Sequence, residues 1–152
     1  MTQKSPERTA LMPGSFNPFT VGHMDILRRS LAMFDRVVVS VGVNRSKTTE
    51  AEIDIRLEAI RRAVAGMDGV EVMAWDGLTV DAARSVGAVA MVRGVRSVAD
   101  FDYERGLAEL NRRIAGIDTI LLVAAPELAV VSSSAVRELE SFGYDVKEFL
   151  PR

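Results

Sequence analysis

The sequence predicts a single α/β domain, a doubly wound parallel sheet of five strands with helices on both faces. Three observations predict it: short apolar runs alternate with amphipathic segments, several of those runs are apolar throughout, and loops of turn-forming and charged residues follow them. Continuous apolar strands belong to parallel sheets buried on both sides, and strand–helix alternation supplies the covering layers. A length of 152 residues suits one domain, and 48% hydrophobic with 26% charged residues is an ordinary globular balance.

The elements follow in order. Thr9 to Met12 is a weak first strand, ending in the turn-rich PGSFNPFTVGH (13–23). A helix is expected from about Gly22 to Phe34, with Ile26, Leu27, Leu31 and Phe34 facing inward. VVVSVGV (37–43) is a β-branched run of buried-strand type. Ile53, Leu57, Ile60, Val64 and Met67 recur at helical spacing, and Gly66 to Gly69 stop that helix. Val70 to Ala74 is a strand and Thr79 to Val86 a short helix; AVAMV (88–92) is the next strand. Tyr103, Leu107, Leu110 and Ile114 mark one long helix by their shared face. TILLVAA (119–125) is a strand, and the last helix starts within Ser132 to Ser134 with Val136, Leu139 and Phe142 on its apolar side. Residues 1–8 read as a polar, mobile extension and 9–152 as the domain.

Composition narrows the function. The net charge of −2 gives no global field for nucleic acid, and no apolar run has the length of a membrane span. The first residues lack the apolar centre of a signal peptide, so a cytoplasmic protein is expected. Without cysteine, and with His23 as the only histidine, thiolate chemistry and Cys/His metal sites are excluded.

In doubly wound sheets ligands bind beyond the carboxyl ends of the strands. The loops expected there are PGSFNPFTVGH, NRSKTT, WDGLT, RGVRSVADFDYE and APELAVVSSS. In the first, Gly14 permits close backbone approach, and a helix beginning near Gly22 turns its free N–H groups toward any anion. His23 reads in two ways: as a cap packed at the helix start, or as a neutral donor to a phosphate, its pKa lowered by the helix dipole. Arg45, Lys47, Arg93 and Arg96 leave strand ends and suit phosphate recognition. Ser132, Ser133 and Ser134 offer hydroxyls beyond one N-cap, with Arg137 a turn later. Glu104 orients an arginine or a ribose; no acidic set has the spacing of a metal cage, so any Mg²⁺ arrives with a nucleotide. Two anionic groups held in one cleft suit phosphoryl or nucleotidyl transfer, where alignment and charge neutralisation dominate.

PGSFNPFTVGH resembles the T-x-G-H form of the nucleotidyltransferase H-x-G-H signature. With RGVRSVADFDYE, VVSSSAVRE, DILRRSLAMFD and Lys47 in order, the chain resembles the phosphopantetheine adenylyltransferases of bacterial coenzyme A synthesis from about Met12 to Pro151. The resemblance implies transfer of the adenylyl group of ATP to 4′-phosphopantetheine, giving dephospho-coenzyme A and pyrophosphate. The acceptor phosphate is then the nucleophile, and no general base is needed. By position the resemblance implies that His23 contacts the α-phosphate, that Lys47 and Arg93 clamp the acceptor phosphate, and that Thr79 meets the pantetheine. Ser15 and Phe16 match nucleotide contacts, Ser15 also the acceptor. Gly94, Val95, Arg96 and Glu104 match ATP-binding positions, as do Leu128, Ala129, Val130, Val131, Ser132, Ser133 and Ser134. It further implies Mg²⁺ carried by ATP, coenzyme A products in the same site, and a homohexamer. The alternatives are another adenylyl- or cytidylyltransferase of the same scaffold, disfavoured by Thr20 and Lys47, and a nucleotide-binding sensor without catalysis.

Overall fold

The computed structural model describes residues 5–152, so positions 1–4 of the expected extension lie outside the described residues. The chain runs β1 (Thr9–Gly14), α1 (Val21–Leu31), β2 (Arg36–Gly42), α2 (Glu50–Ala63), β3 (Val70–Trp75), α3 (Thr79–Ser85), β4 (Ala90–Val95), α4 (Val98–Ala115), β5 (Asp118–Val123) and α5 (Ser133–Ser141). All pairings are parallel, in a five-stranded sheet of order β3-β2-β1-β4-β5. The chain moves outward from β1 through β2 and β3, then crosses back to place β4 on the other side of β1. The switch point therefore lies between the carboxyl ends of β1 and β4, at Gly14 and Arg93 to Val95.

The core explains the layering. Alternate residues of β2, Val37, Val39 and Val41, pack with Ile26, Leu27, Ile53 and Ile60 from α1 and α2 on one face. Leu11, Val38 and Met91 pack with Val80, Ala82 and Ala83 of α3 on the other. Helix α2 carries a full capping box, Thr49 with Glu52. Gly69 precedes β3 at φ +80, where an added Cβ would lie 2.6 Å from the Asp35 carbonyl, so only glycine fits this turn.

Four expected elements differ. Helix α1 ends at Leu31, yet Phe34 still packs inward from the following turn. Strand β4 starts at Ala90 and continues to Val95, so Arg93 and Gly94 are strand residues rather than loop residues. On α4, the stripe Tyr103, Leu107, Leu110, Ile114 is exposed; the stripe one residue on, Glu104, Ala108, Asn111, Ala115, is its more buried side. That sheet-facing stripe is polar and small because it lines a cleft, so hydrophobic periodicity pointed to the wrong face. In α5, Val136 is buried as expected, whereas Phe142 at 82% exposure is not.

Candidate active site

The switch point opens into a cleft with two lobes. One, about 260 Å³, lies over β2, β3 and β4 against α3 and α4; the other, about 230 Å³, lies between the β1–α1 loop, β4 and the start of α5. They share Pro13, Gly14, Ser15, Arg93 and Glu104, so ligands in the two lobes would meet end to end at the tips of β1 and β4.

The first loop builds the second lobe. Thr20 caps α1 and His23 is its N3 residue, giving a capping box in which imidazole replaces the usual Glu or Gln. The Thr20 backbone N–H donates to His23 Nδ1 at 2.9 Å, and the Thr20 hydroxyl accepts from the His23 N–H at 3.3 Å. The cap reading of His23 is therefore observed at Nδ1, which leaves the proton of the neutral ring on Nε2. The ring packs edge-on to Phe16 at 5.0 Å and stacked on Phe19 at 5.5 Å. That burial, with the Arg93 and Arg96 charges, lowers its pKa from 6.5 to about 4. The imidazole is thus neutral at neutral pH, as expected, but burial is the leading cause rather than the helix dipole.

Phe16 holds φ 47, a left-handed backbone uncommon outside glycine, and is followed by a cis Asn17–Pro18 bond. Its ring fills the space above Gly14: a Cβ there would lie 2.8 Å from Phe16 Cζ. Glycine at position 14 thus leaves room for the Phe16 ring. The start of α5 braces this loop. Ser133 Oγ donates to the Pro18 carbonyl at 2.7 Å, and Arg137 Nη1 to the Asn17 carbonyl at 2.5 Å. Ser132 Oγ caps α5 by accepting from the Ala135 N–H, and Ser134 Oγ accepts from Arg137. Each serine hydroxyl has an internal partner as well as a place in the lobe wall, so none is surplus to structure.

Arg93 stands at the junction. Its Nε and Nη2 donate to both oxygens of Glu104 at 2.9 and 2.5 Å, and its Nη1 donates to the Pro13 carbonyl at 2.6 Å. Burial opposes its charge, but the Glu104 hydrogen bonds and charge outweigh it and raise its pKa. Glu104, 3% exposed, uses both oxygens on Arg93, so of its two expected roles the arginine-orienting one is observed. Arg96 is exposed on the second lobe, its N–H held by Asp100 Oδ2 at 2.9 Å.

Other positions divide clearly. Ser15, Phe16, His23, Gly94, Arg96 and Leu128 line the second lobe, with Val131, Ser132, Ser133 and Ser134. Thr79 lines the first lobe. Val95 is buried in β4, and neither it nor Ala129 or Val130 lines either lobe. Lys47 is exposed on the β2–α2 loop outside the lining, and Arg45 turns to Glu50 at 2.9 Å. Sequence reasoning missed Ser40, Trp75 and Asn111, which line the first lobe. For Asn111 a signal existed, since a polar residue falls on the inward stripe of α4.

Comparison with known proteins is consistent with this geometry. Residues 11–139 match the family model described as Cytidylyltransferase-like. A phosphopantetheine adenylyltransferase of Porphyromonas gingivalis is 53% identical over 142 residues, 93% of each chain. The chain belongs to the phosphopantetheine adenylyltransferase family. A second phosphopantetheine adenylyltransferase, from Bacteroides fragilis, is 45% identical over 95% of this chain and 97% of its own. The fold also matches a bifunctional NMN adenylyltransferase/ADP ribose pyrophosphatase of Francisella tularensis, at TM-score 0.72 and 13% identity. That match covers 97% of this chain but only 45% of the bifunctional protein, and it shows shared fold alone.

Proposed function

We propose that this phosphopantetheine adenylyltransferase family member transfers the adenylyl group of ATP to 4′-phosphopantetheine, releasing pyrophosphate and dephospho-coenzyme A. The carrying observation is the pair of lobes joined at Ser15 and Arg93. ATP lies in the lobe of His23, Arg96 and Ser132 to Ser134, and the acceptor's arm in the lobe of Thr79. The two phosphates meet at the junction, where the dianionic acceptor phosphate attacks the α-phosphorus in line with the leaving pyrophosphate. His23 Nε2 donates to an α-phosphate oxygen as charge shifts toward the leaving group. Arg96 and the N-terminus of α5 steady the pyrophosphate. Arg93, its fork fixed by Glu104 and Pro13, and Ser15 hold the acceptor phosphate. Lys47 is left outside this set.

Among the described residues no three or more His, Cys, Asp or Glu side chains cluster where they could hold a metal ion. In this reading Mg²⁺ would arrive with ATP and offset its phosphate charge. Coenzyme A products share the cleft. Among the described residues no helix is long and apolar enough to cross a membrane, and we place the reaction in the cytoplasm. The exposed side of α4 carrying Tyr103, Leu110 and Ile114 supports self-association, which we take as the hexamer.

The test is an acceptor screen. Pyrophosphate should appear only when ATP and 4′-phosphopantetheine are both present, and nicotinate mononucleotide should not substitute. ATP binding without product from any acceptor would identify a sensor instead.

A further inference from the structure

We propose that the indole N–H of Trp75 is a specificity-determining donor to an amide carbonyl of the acceptor's arm; this rests on the reaction proposed above. Two buried side-chain polar atoms among the described residues have no hydrogen-bond partner, Trp75 Nε1 and Thr119 Oγ1, and both residues line the first lobe. Folded proteins rarely leave such groups unpaired, because an unmade buried hydrogen bond costs more than a made one contributes. An orphan on the wall of a cleft is therefore a candidate donor to a ligand.

The route of the arm selects between them. Trp75 ends β3 directly beside Gly42 of β2, with which it is in register. Gly42 carries no side chain, so nothing rises from the sheet there between the indole and Gly14 at the shared junction. Gly77, held at φ +133, borders the far side, where a Cβ would lie 3.4 Å from Nε1. Gly14, Gly42 and Gly77 thus form a bare track from the phosphate end at Arg93 to the indole edge, with Thr79 beyond it. Thr119 lies on the opposite outer strand, β5, paired with Met91. An arm leaving the junction along the glycine track reaches Trp75 and not Thr119. Such an arm must present a carbonyl there. The two amides of 4′-phosphopantetheine do so, and a simple alkyl phosphate does not.

The test compares Trp75→Phe, which keeps a ring and deletes the donor, with Thr119→Val. Calorimetric binding of 4′-phosphopantetheine, steady-state kinetics and the melting temperature of the ligand-free protein are measured for each. Trp75→Phe should weaken acceptor binding and raise its KM by roughly 3- to 10-fold. The KM for ATP, kcat and the ligand-free melting temperature should not fall, because the donor lacks a partner until the acceptor arrives. Thr119→Val should leave acceptor binding unchanged. Unchanged acceptor binding in Trp75→Phe with a lowered melting temperature would overturn the inference, since the N–H would then be satisfied within the free protein. Weakened acceptor binding in Thr119→Val alone would overturn it too. A wild-type protein that binds the acceptor without turnover would instead count against the reaction, leaving the binding comparison to decide on Trp75.

Discussion

Replacing His23 with alanine should lower kcat by about two to three orders of magnitude while ATP affinity changes by less than about threefold. The contact from Nε2 strengthens only as the α-phosphorus is attacked, so it contributes to the transition state far more than to the ground state. Alanine also removes the Nδ1 acceptor from the Thr20 N–H, and loss of such a cap costs about 1 kcal/mol of stability. His23→Gln separates the two roles. Glutamine at N3 is a normal capping-box partner, so melting temperature should recover. Turnover should not, because the glutamine side chain used as the cap no longer presents a donor at the position of Nε2. If His23→Gln restored turnover along with stability, His23 would be a structural cap alone.

Glu104→Ala should cost about 3 kcal/mol of stability, the low end for removing one partner of a buried ion pair. In a chain of this length that corresponds to a fall of about 8 °C in melting temperature. Arg93 is left on the cleft floor with its charge unmatched and its fork held only by the Pro13 carbonyl. The low end applies because the Arg93 side chain keeps 32% exposure and water can reach part of it. The acceptor's KM should rise with this variant, since Arg93 loses its orientation. Combining Glu104→Leu with Arg93→Met removes both charges and should recover most of the stability without recovering activity. A single Glu104→Ala variant as stable as the parent would show that the pair is not needed to hold Arg93.

The sheet was legible because its strands are buried on both faces and therefore largely apolar, as in Val37 to Val39. Helix caps were legible where the chemistry is standard, as at Ser132 and α5. The failures cluster at the cleft. The inward side of α4 carries Glu104 and Asn111 because it serves ligands, so the strongest apolar stripe faced outward. Strand β4 extends to Val95 because the strand itself presents Arg93, a residue type that reads as a loop. His23 posed a choice between cap and ligand donor that one dimension could not resolve, since the cap uses only Nδ1 and leaves the second ring nitrogen. Trp75 reads as the first residue of the WDGLT loop at the ligand end, and only the missing partner of its N–H marks it as a donor. Arg45 shows the converse case, a charge at a strand end that turns to Glu50.

In the proposed reaction the two substrates lie end to end and react directly, with no adenylyl group passing to the protein. The most direct test uses ATP made chiral at the α-phosphorus by sulfur substitution and determines the configuration of the dephospho-coenzyme A analogue formed with 4′-phosphopantetheine. A single in-line displacement predicts inversion at phosphorus. Retention would require two displacements through a covalent adenylyl-protein and would contradict the account.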